Sequence, residues 1–562
     1  MTTSTFTPSQ EQAYATHPEK KIALYYTVTG LIFLLVGVLL GPLQALNYAG
    51  IDVYKYLPFL KSYYQGLTLH GVLNALVFTT YFICGILLYL PARELNLRPN
   101  LKFAWFTYWL MNFGVVLAAI AILGNNASVL YTFYPPLKGS PLFYIGAALL
   151  VASSLLVGGQ TIYMWTGWKR QHPGKVTPVT TYMSVATWFM WILASLGIVV
   201  EVVVYLIPWS LGWTPTVDPL LARTLFWYTG HPIVYFWLLP AYVSWYAFIP
   251  RQSGGKIVSE PLARLAFGLF LLLSVPVGLH HQFTDPGISN TWKLIQMCLT
   301  FAVAVPSMLT AFSVGASLEY AARLKGGKGL VGWMGKLPWQ DASFTAQVLA
   351  MTSFIFGGAG GMVNASMSLD HVVHNTAWIP GHFHITVGTA TTLTFFGMTF
   401  WLLPHLTGKK LFSPKMALAS CWWWFIGMMT FALGMHWEGL LGIPRRAHIA
   451  ALPAEQLAQY SQNAHIPMVL TGISGMLLLV GAILYYTVVA GTLWGNQRDV
   501  KNAPEIPFSE SLTPTESRRS VRVLDRLWLW FGVAFLIVLG AYLPVILPML
   551  HNPTLVPGMR LW

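Results

Sequence analysis

The sequence predicts an all-α polytopic membrane protein, a single domain over 1–562 crossing the bilayer about thirteen times. Three observations carry this expectation. Of 562 residues, 55% are hydrophobic and only 9% charged, too few charges to cover a soluble chain of this length. The apolar residues gather into runs of roughly 19–28 residues, enough to span a bilayer as helices. With the N-terminus placed inside, 24 of the 32 lysines and arginines fall in inner segments. Eight fall outside: Lys55, Lys61, Lys138, Arg223, Lys293, Arg445, Arg446 and Arg560. That bias is the positive-inside pattern, and one missed helix would scramble it. A net charge of +14 raises nucleic acid as a partner, but the basic residues sit in short loops between apolar runs, which points to orientation in lipid and to no nucleic acid.

In chain order, a polar N-terminus, Met1 to Thr16, does not read as a cleaved signal. Spans then follow at 22–46, 66–90 (with His70 near its outer end), 102–124, 141–165, and 185–209, whose outer part holds Glu201. The span 223–249 carries His231 and Tyr235, and 262–281 closes on His280 and His281. The span 291–318 carries Ser307, Thr310 and Ser313; 344–365 follows; and 378–403 opens with His382 and His384. The last spans are 415–439, 467–492 and 527–550, with Gly495 to Arg526 as the longest polar loop. Three cysteines make no disulfide framework, and no Cys-x-x-Cys-His offers a covalent haem attachment.

The functional signal is histidine. Imidazole inside a membrane is costly unless paired or ligating. His70, His231, His280, His281, His382 and His384 come from four helices yet sit at similar depth in the outer half. His382 and His384 are two residues apart, about 200° around a helix, so they cannot share one metal but can serve two flat cofactors on opposite sides. Haem iron takes such axial ligands. His280 and His281, with His231, form a three-nitrogen site suited to copper, zinc or iron. His70 pairs with either His382 or His384 across a closed six-coordinate haem. The remaining histidine holds an open haem facing the three-histidine metal. Tyr235, four residues after His231, shares its face and places a phenol beside that metal.

Weaker signals surround these. Arg445 and Arg446 suit haem propionates, and the pair Asp370 and His374 with His371 suits propionates or a hard divalent ion. Tyr235, Tyr242 and Tyr246 fall on one helix face, and with Ser307, Thr310 and Ser313 they outline a hydroxyl route for protons from the inside. Glu201 is a functional candidate as a membrane acid.

These residues resemble subunit I of the haem–copper respiratory oxidases. The motif Trp227-Tyr-Thr-Gly-His-Pro-Ile-Val-Tyr235 is similar to the copper-ligand and tyrosine element, His280-His281 to the copper pair, Gly381-His-Phe-His384 to the two-haem element, and Pro444-Arg-Arg446 to the propionate arginines. The resemblance implies His70 and His384 on a low-spin haem, His382 on a high-spin haem, His231, His280 and His281 on one copper ion, and a covalent His231–Tyr235 bond. It covers a core of about 22–492, with the C-terminal helix at about 527–550 as an addition. Ile233 stands where the larger branch has Glu, and Thr310 where it has Lys. That departure resembles the B-type branch, with low-spin haem b, a high-spin a-type haem and one hydroxyl-lined proton route.

The implied activity is reduction of O2 to water, coupled to proton translocation, in a cell membrane. The N-terminus would be cytoplasmic and the metals in the outer half. Electrons from outside and protons from inside separate charge even without pumping. No segment offers a soluble copper site, so a partner subunit II carrying a copper centre is expected, with cytochrome c as donor and a small single-helix subunit beside it. Competing readings are a quinol oxidase, a nitric oxide reductase with non-haem iron, and a membrane transporter, which would show broken helices near the midplane instead of one histidine layer.

Overall fold

A computed structural model of the chain describes residues 17–495, 503–512 and 519–562. The polar Met1–Thr16 stretch, and Arg498, Lys501 and Arg518 among the inner basic residues, lie outside the described residues.

Among the described residues twelve helices are long and apolar enough to cross a membrane. They run from Glu19–Tyr48 to Leu527–His551 and match twelve of the thirteen expected spans. The exception is the span expected at 262–281. Its α-helix covers only Glu260–Leu273, 14 residues, and a short 3-10 turn, Gly278–Gln282, follows. Pro276 explains the break: it lacks the N–H that would continue the ladder and disfavours helical backbone in the residue before it. The interruption bends the chain so that His280 and His281 leave the helix together.

Lipid-facing helices keep one apolar side outward, as Tyr163, Phe312 and Leu536 do. Three helices have no such side. Tyr63–Glu94, Pro219–Gln252 and Trp378–Thr407 bury 83%, 89% and 89% of their most apolar stretch, against 33–50% for the other nine. These three carry His70, His231 and the pair His382 and His384, so four of the six expected site histidines stand on the enclosed helices.

Two of the three also change pitch at a histidine. Wider π-helical turns run over Val72–Phe78, just after His70, and over His384–Thr391. Such turns displace backbone bonds, and in lipid those groups must be satisfied internally. Threonines do this: Thr389 Oγ1 donates to the His384 carbonyl at 3.0 Å and Thr392 Oγ1 to the Val387 carbonyl at 2.9 Å.

The helix Leu527–His551 packs against Glu260–Leu273. The pair is fastened by Arg264, 1% exposed at its side chain, which bonds Glu260 Oε1 at 2.5 and 2.9 Å, the Thr177 carbonyl at 2.5 Å and Asp525 Oδ1 at 3.4 Å. Lys169 completes the group with a 2.8 Å bond to Asp525. After His551 the chain returns across the histidine end of the bundle. There Val556–Pro557 pairs antiparallel with Thr216–Val217 in the two-stranded sheet.

Candidate metal centre

His231 stands where the sequence interrupts its own helix. Pro219–Gly230 ends at it and Pro232–Ala247 begins after it. Its two ring nitrogens face different partners: Nδ1 lies 3.0 Å from His281 Nε2, and Nε2 lies 3.0 Å from the Tyr235 hydroxyl. His280 adds a third imidazole, its ring centre 4.4 Å from that of His231 and 4.1 Å from that of His281. One nitrogen from each of the three lies within 4.8 Å of the others. Ligands bonded at about 2 Å to one ion stand about 3–4 Å apart, so a small inward shift of the rings brings all three onto one ion. His280 Nδ1 donates to the Val277 carbonyl at 2.5 Å, beside Thr300 Oγ1 at 3.1 Å, which leaves its Nε2 as the ligand atom. Trp227 stacks on His281 at 3.8 Å. Two buried imidazoles and one half-buried, with aimed nitrogens, fit a copper ion.

His70 and His384 face each other with ring centres 6.2 Å apart and planes inclined by 14°. A metal–nitrogen bond of about 2 Å on each side, plus roughly 1 Å from nitrogen to ring centre, puts two axial imidazoles about 6 Å apart, so the gap fits one haem iron. Their orientation is held from behind. His70 Nδ1 donates to the Gly37 carbonyl at 2.9 Å and His384 Nδ1 to the Pro380 carbonyl at 2.7 Å. That leaves both Nε2 atoms for the metal. At Gly37 a Cβ would fall 2.0 Å from Asn74 Oδ1, so a larger residue there displaces the Asn74 amide beside His70. The cavity around this pair is lined by Tyr63, Phe431 and Arg446 among others.

His382 turns the other way, into a second cavity of about 940 Å³ that it shares with His231, His280, His281 and Tyr235. The i, i+2 geometry therefore separates the two rings as expected. The room comes from Ala342–Ala365, whose Gly357, Gly358 and Gly361 line the cavity; at Gly360 a Cβ would lie 3.1 Å from His382 Nδ1.

The expected anion-binding residues gather at the histidine end. Arg445 lines both cavities and its guanidinium donates to Asn375 Oδ1 at 2.8 and 3.2 Å. Burial, then the adjoining Arg446 charge, pulls Arg445 down to about 10. Two half-buried guanidinium groups side by side call for anions. Arg446 Nη2 and His374 Nε2 are buried with no hydrogen-bond partner among the described residues. His374 Nδ1 is bonded to Asp370 Oδ2 at 2.9 Å. Both orphaned groups suit haem carboxylates. His371 points away and is exposed, so it does not join them.

The residues of the hydroxyl route are brought near one another in groups. Tyr242 meets Ser307, and Tyr246 faces Thr310 and Ser313. The Tyr246 hydroxyl and Ser313 Oγ are buried with no direct bond among the described residues, while Thr310 Oγ1 donates to the Pro306 carbonyl at 2.9 Å. Buried polar atoms of this kind are the usual partners of ordered water. Glu201 is fully buried in the π-helical turn Val200–Leu206, neither of its oxygens is bonded among the described residues, and it does not line the large cavity.

Several contributors carry no legible signal in the sequence. Thr300 and Asn74 are ordinary helix residues until the fold sets them against histidines, and Trp227, though it opens the copper-ligand motif, gives no sign there that it stacks on His281. Tyr131 and Tyr134 lie in a loop, and their rings flank Arg446 at 5.4 and 5.5 Å.

Comparison with known proteins agrees with this geometry. The profile of the family described as cytochrome C and quinol oxidase polypeptide I matches residues 21–477. Cytochrome c oxidase subunit 1 of Thermus thermophilus is 53% identical over 559 residues, covering 98% of each chain. A putative cytochrome c oxidase subunit 1-beta of Streptomyces avermitilis is 27% identical, covering 77% of this chain and 76% of its own. A haem–copper terminal oxidase dimer solved by cryo-EM superposes with a TM-score of 0.91 at 35% identity, over 97% of this chain and 95% of that one.

Proposed function

The chain belongs to the cytochrome c and quinol oxidase polypeptide I family, and from that premise we propose how its residues divide the work. It is the catalytic subunit of a haem–copper terminal oxidase, reducing O2 to water with coupled proton translocation. His70 and His384 hold a low-spin haem b, His382 holds a high-spin a-type haem, and His231, His280 and His281 hold one copper ion. The observation that carries this assignment is the His70–His384 pair, 6.2 Å apart, set beside a separate cavity where His382 meets the three-histidine cluster. When bound, these groups supply electron transfer and the multi-electron chemistry of O2.

The chain's own side chains bind, orient and move protons. The Gly37 and Pro380 carbonyls fix the rings of His70 and His384. The Tyr235 hydroxyl, 3.0 Å from His231 Nε2, holds one hydrogen, to be given up as a proton or as a hydrogen atom, within reach of the copper side of the cavity. The covalent His231–Tyr235 bond is supported by the same contact. Forming it removes one N–H and one C–H hydrogen with two electrons, which O2 accepts. Protons reach Tyr235 through Ser313, Thr310 and Tyr246, then Ser307 and Tyr242. Arg445, Arg446, His374 and Asp370 hold the haem propionates. The family core takes in 22–492, and the helix at 527–550 is an addition to it.

The chain lies in the cell inner membrane, its N-terminus cytoplasmic and its metal sites in the outer half, as the distribution of basic residues supports. Electrons come from cytochrome c through a subunit II with a copper centre, and a small single-helix subunit accompanies them. The three-histidine group contains no carboxylate, and Tyr235 contacts it, which favours copper and oxygen over the iron of a nitric oxide reductase.

The test is a reduced-minus-oxidised optical spectrum of the purified complex, repeated with carbon monoxide, with copper and iron analysis. Two haems, one binding carbon monoxide, and a copper in this subunit are expected. Extra iron in place of that copper would move the assignment to nitric oxide reduction, and turnover with quinol but not cytochrome c would replace the donor.

A further inference from the structure

Among the described residues only seven non-glycine positions take a positive φ, and three of them belong to one cluster: Arg446 (φ 58), and Leu130 (φ 65) and Phe133 (φ 36), which immediately precede the two tyrosines that meet its guanidinium. Backbone of this kind persists where the surroundings over-determine it. Arg446 lies between the rings of Tyr131 and Tyr134, and Tyr134 also receives Arg223 at 5.1 Å on its ring. The loop bearing both tyrosines is held at its near side by Thr68, whose Oγ1 accepts from the Leu130 N–H at 2.9 Å.

Its far side is held by the C-terminal tail. The Met559 N–H donates to the Pro136 carbonyl at 2.8 Å, and the Lys138 N–H donates to the Met559 carbonyl at 2.8 Å. These two bonds grip the chain two and four residues beyond Tyr134. Five residues earlier, the Thr554 N–H donates to Asp218 Oδ2 at 2.8 Å. The other oxygen of that carboxylate caps the helix leading to His231, accepting from the Leu220 and Leu221 N–H groups at 2.9 and 3.0 Å. Between the two anchor points the tail pairs Val556–Pro557 with Thr216–Val217. The tail therefore ties the loop beside Arg446 to the helix that presents the metal ligand His231.

We infer that Thr554–Met559 is a positioning strap that holds Tyr131 and Tyr134 on Arg446 and so sets the charge beside the low-spin haem. The inference rests on the reading of Arg446 as a haem-facing arginine. A guanidinium fixed close to a haem favours the reduced form, which carries one positive charge fewer. Loosening it lowers the midpoint potential while the ligands, and hence the haem content, stay in place.

The test uses the whole complex with three changes to this chain: Met559→Pro, which removes the N–H that grips Pro136; a chain ending at Pro553; and Arg446→Gln. Potentiometric titration of the low-spin haem is the readout. A downward midpoint shift in Met559→Pro and in the shortened chain, in the same direction as Arg446→Gln and smaller, is expected, with both haems retained. If Arg446→Gln lowers the midpoint and the tail variants leave it unchanged, the strap is wrong. If Arg446→Gln itself has no effect, the haem-facing reading of that arginine fails and the strap falls with it. If the shortened chain does not assemble, Met559→Pro decides.

Discussion

His70 and His384 come from helices more than three hundred positions apart in sequence, yet their rings face across 6.2 Å with an inclination of 14°. Each is held from behind by a backbone carbonyl, Gly37 for one and Pro380 for the other. A ring that has its Nδ1–H bonded presents Nε2 in a fixed direction, so the pair is arranged for a ligand before one arrives. The two rings are bound to different parts of the bundle, and losing either leaves the other a single axial ligand.

Replacing His384 by Ala removes the low-spin haem from the optical spectrum and leaves the carbon monoxide-binding haem on His382. His70→Ala does the same. An unchanged low-spin spectrum in either variant would break the ligand assignment.

Tyr235→Phe keeps the ring and removes the hydroxyl that faces His231 Nε2. Copper and both haems remain, while steady oxygen uptake falls by about 10²–10⁴-fold, the range for losing a positioned proton donor. Uptake within about twofold of the parent would remove Tyr235 from the chemistry.

Thr310→Val preserves shape and deletes the hydroxyl that faces Tyr246. Turnover drops by about 10²-fold if the route depends on it, and the rate at which the low-spin haem is reduced by donor does not change. Oxygen uptake and stopped-flow reduction, measured together, separate the two effects. Equal slowing of both steps would argue for a structural disturbance instead of proton delivery.

His280→Ala leaves the ion with two imidazoles. Elemental analysis is expected to find copper lost from this subunit and iron unchanged, with both haem spectra present. Full copper retention would place the metal elsewhere.

Arg264→Ala leaves Glu260 and Asp525 facing each other without their shared partner. Breaking a buried ion group of this kind costs about 3–5 kcal/mol, read as a lower thermal midpoint for the subunit. Proteolysis is then expected to free the C-terminal helix first. A midpoint equal to the parent's would show the network contributes nothing net.

Much of the site was legible because membranes make polar residues expensive. Six histidines at one depth are hard to explain as packing, and Tyr235 could be placed beside His231 from helical period alone. The arginine pair and the loop of Asp370, His371 and His374 could be named with their chemistry, but not which members take part: Arg446 and His374 have the orphaned buried atoms, whereas His371 is exposed. The glycines that make room beside His382 were not named. The span at 262–281 was read as one helix because its apolar run is continuous. Pro276 ends the helix early, and hydropathy does not register a backbone that cannot continue.

By itself the sequence determined that this chain is a bundle of membrane helices, that His382 and His384 serve opposite sides, and that His231 shares a face with Tyr235. Those are properties of one helix and its period of 3.6 residues. Helical period left open whether His382 or His384 meets His70; the resemblance implied His384, and the tertiary structure brings that ring to His70. The tertiary structure alone decided that Thr300 backs His280 and that Tyr131 and Tyr134 enclose Arg446. Which side chains meet across two helices depends on how every neighbouring pair packs. That sum is distributed over the whole bundle and leaves no mark at the residues it brings together.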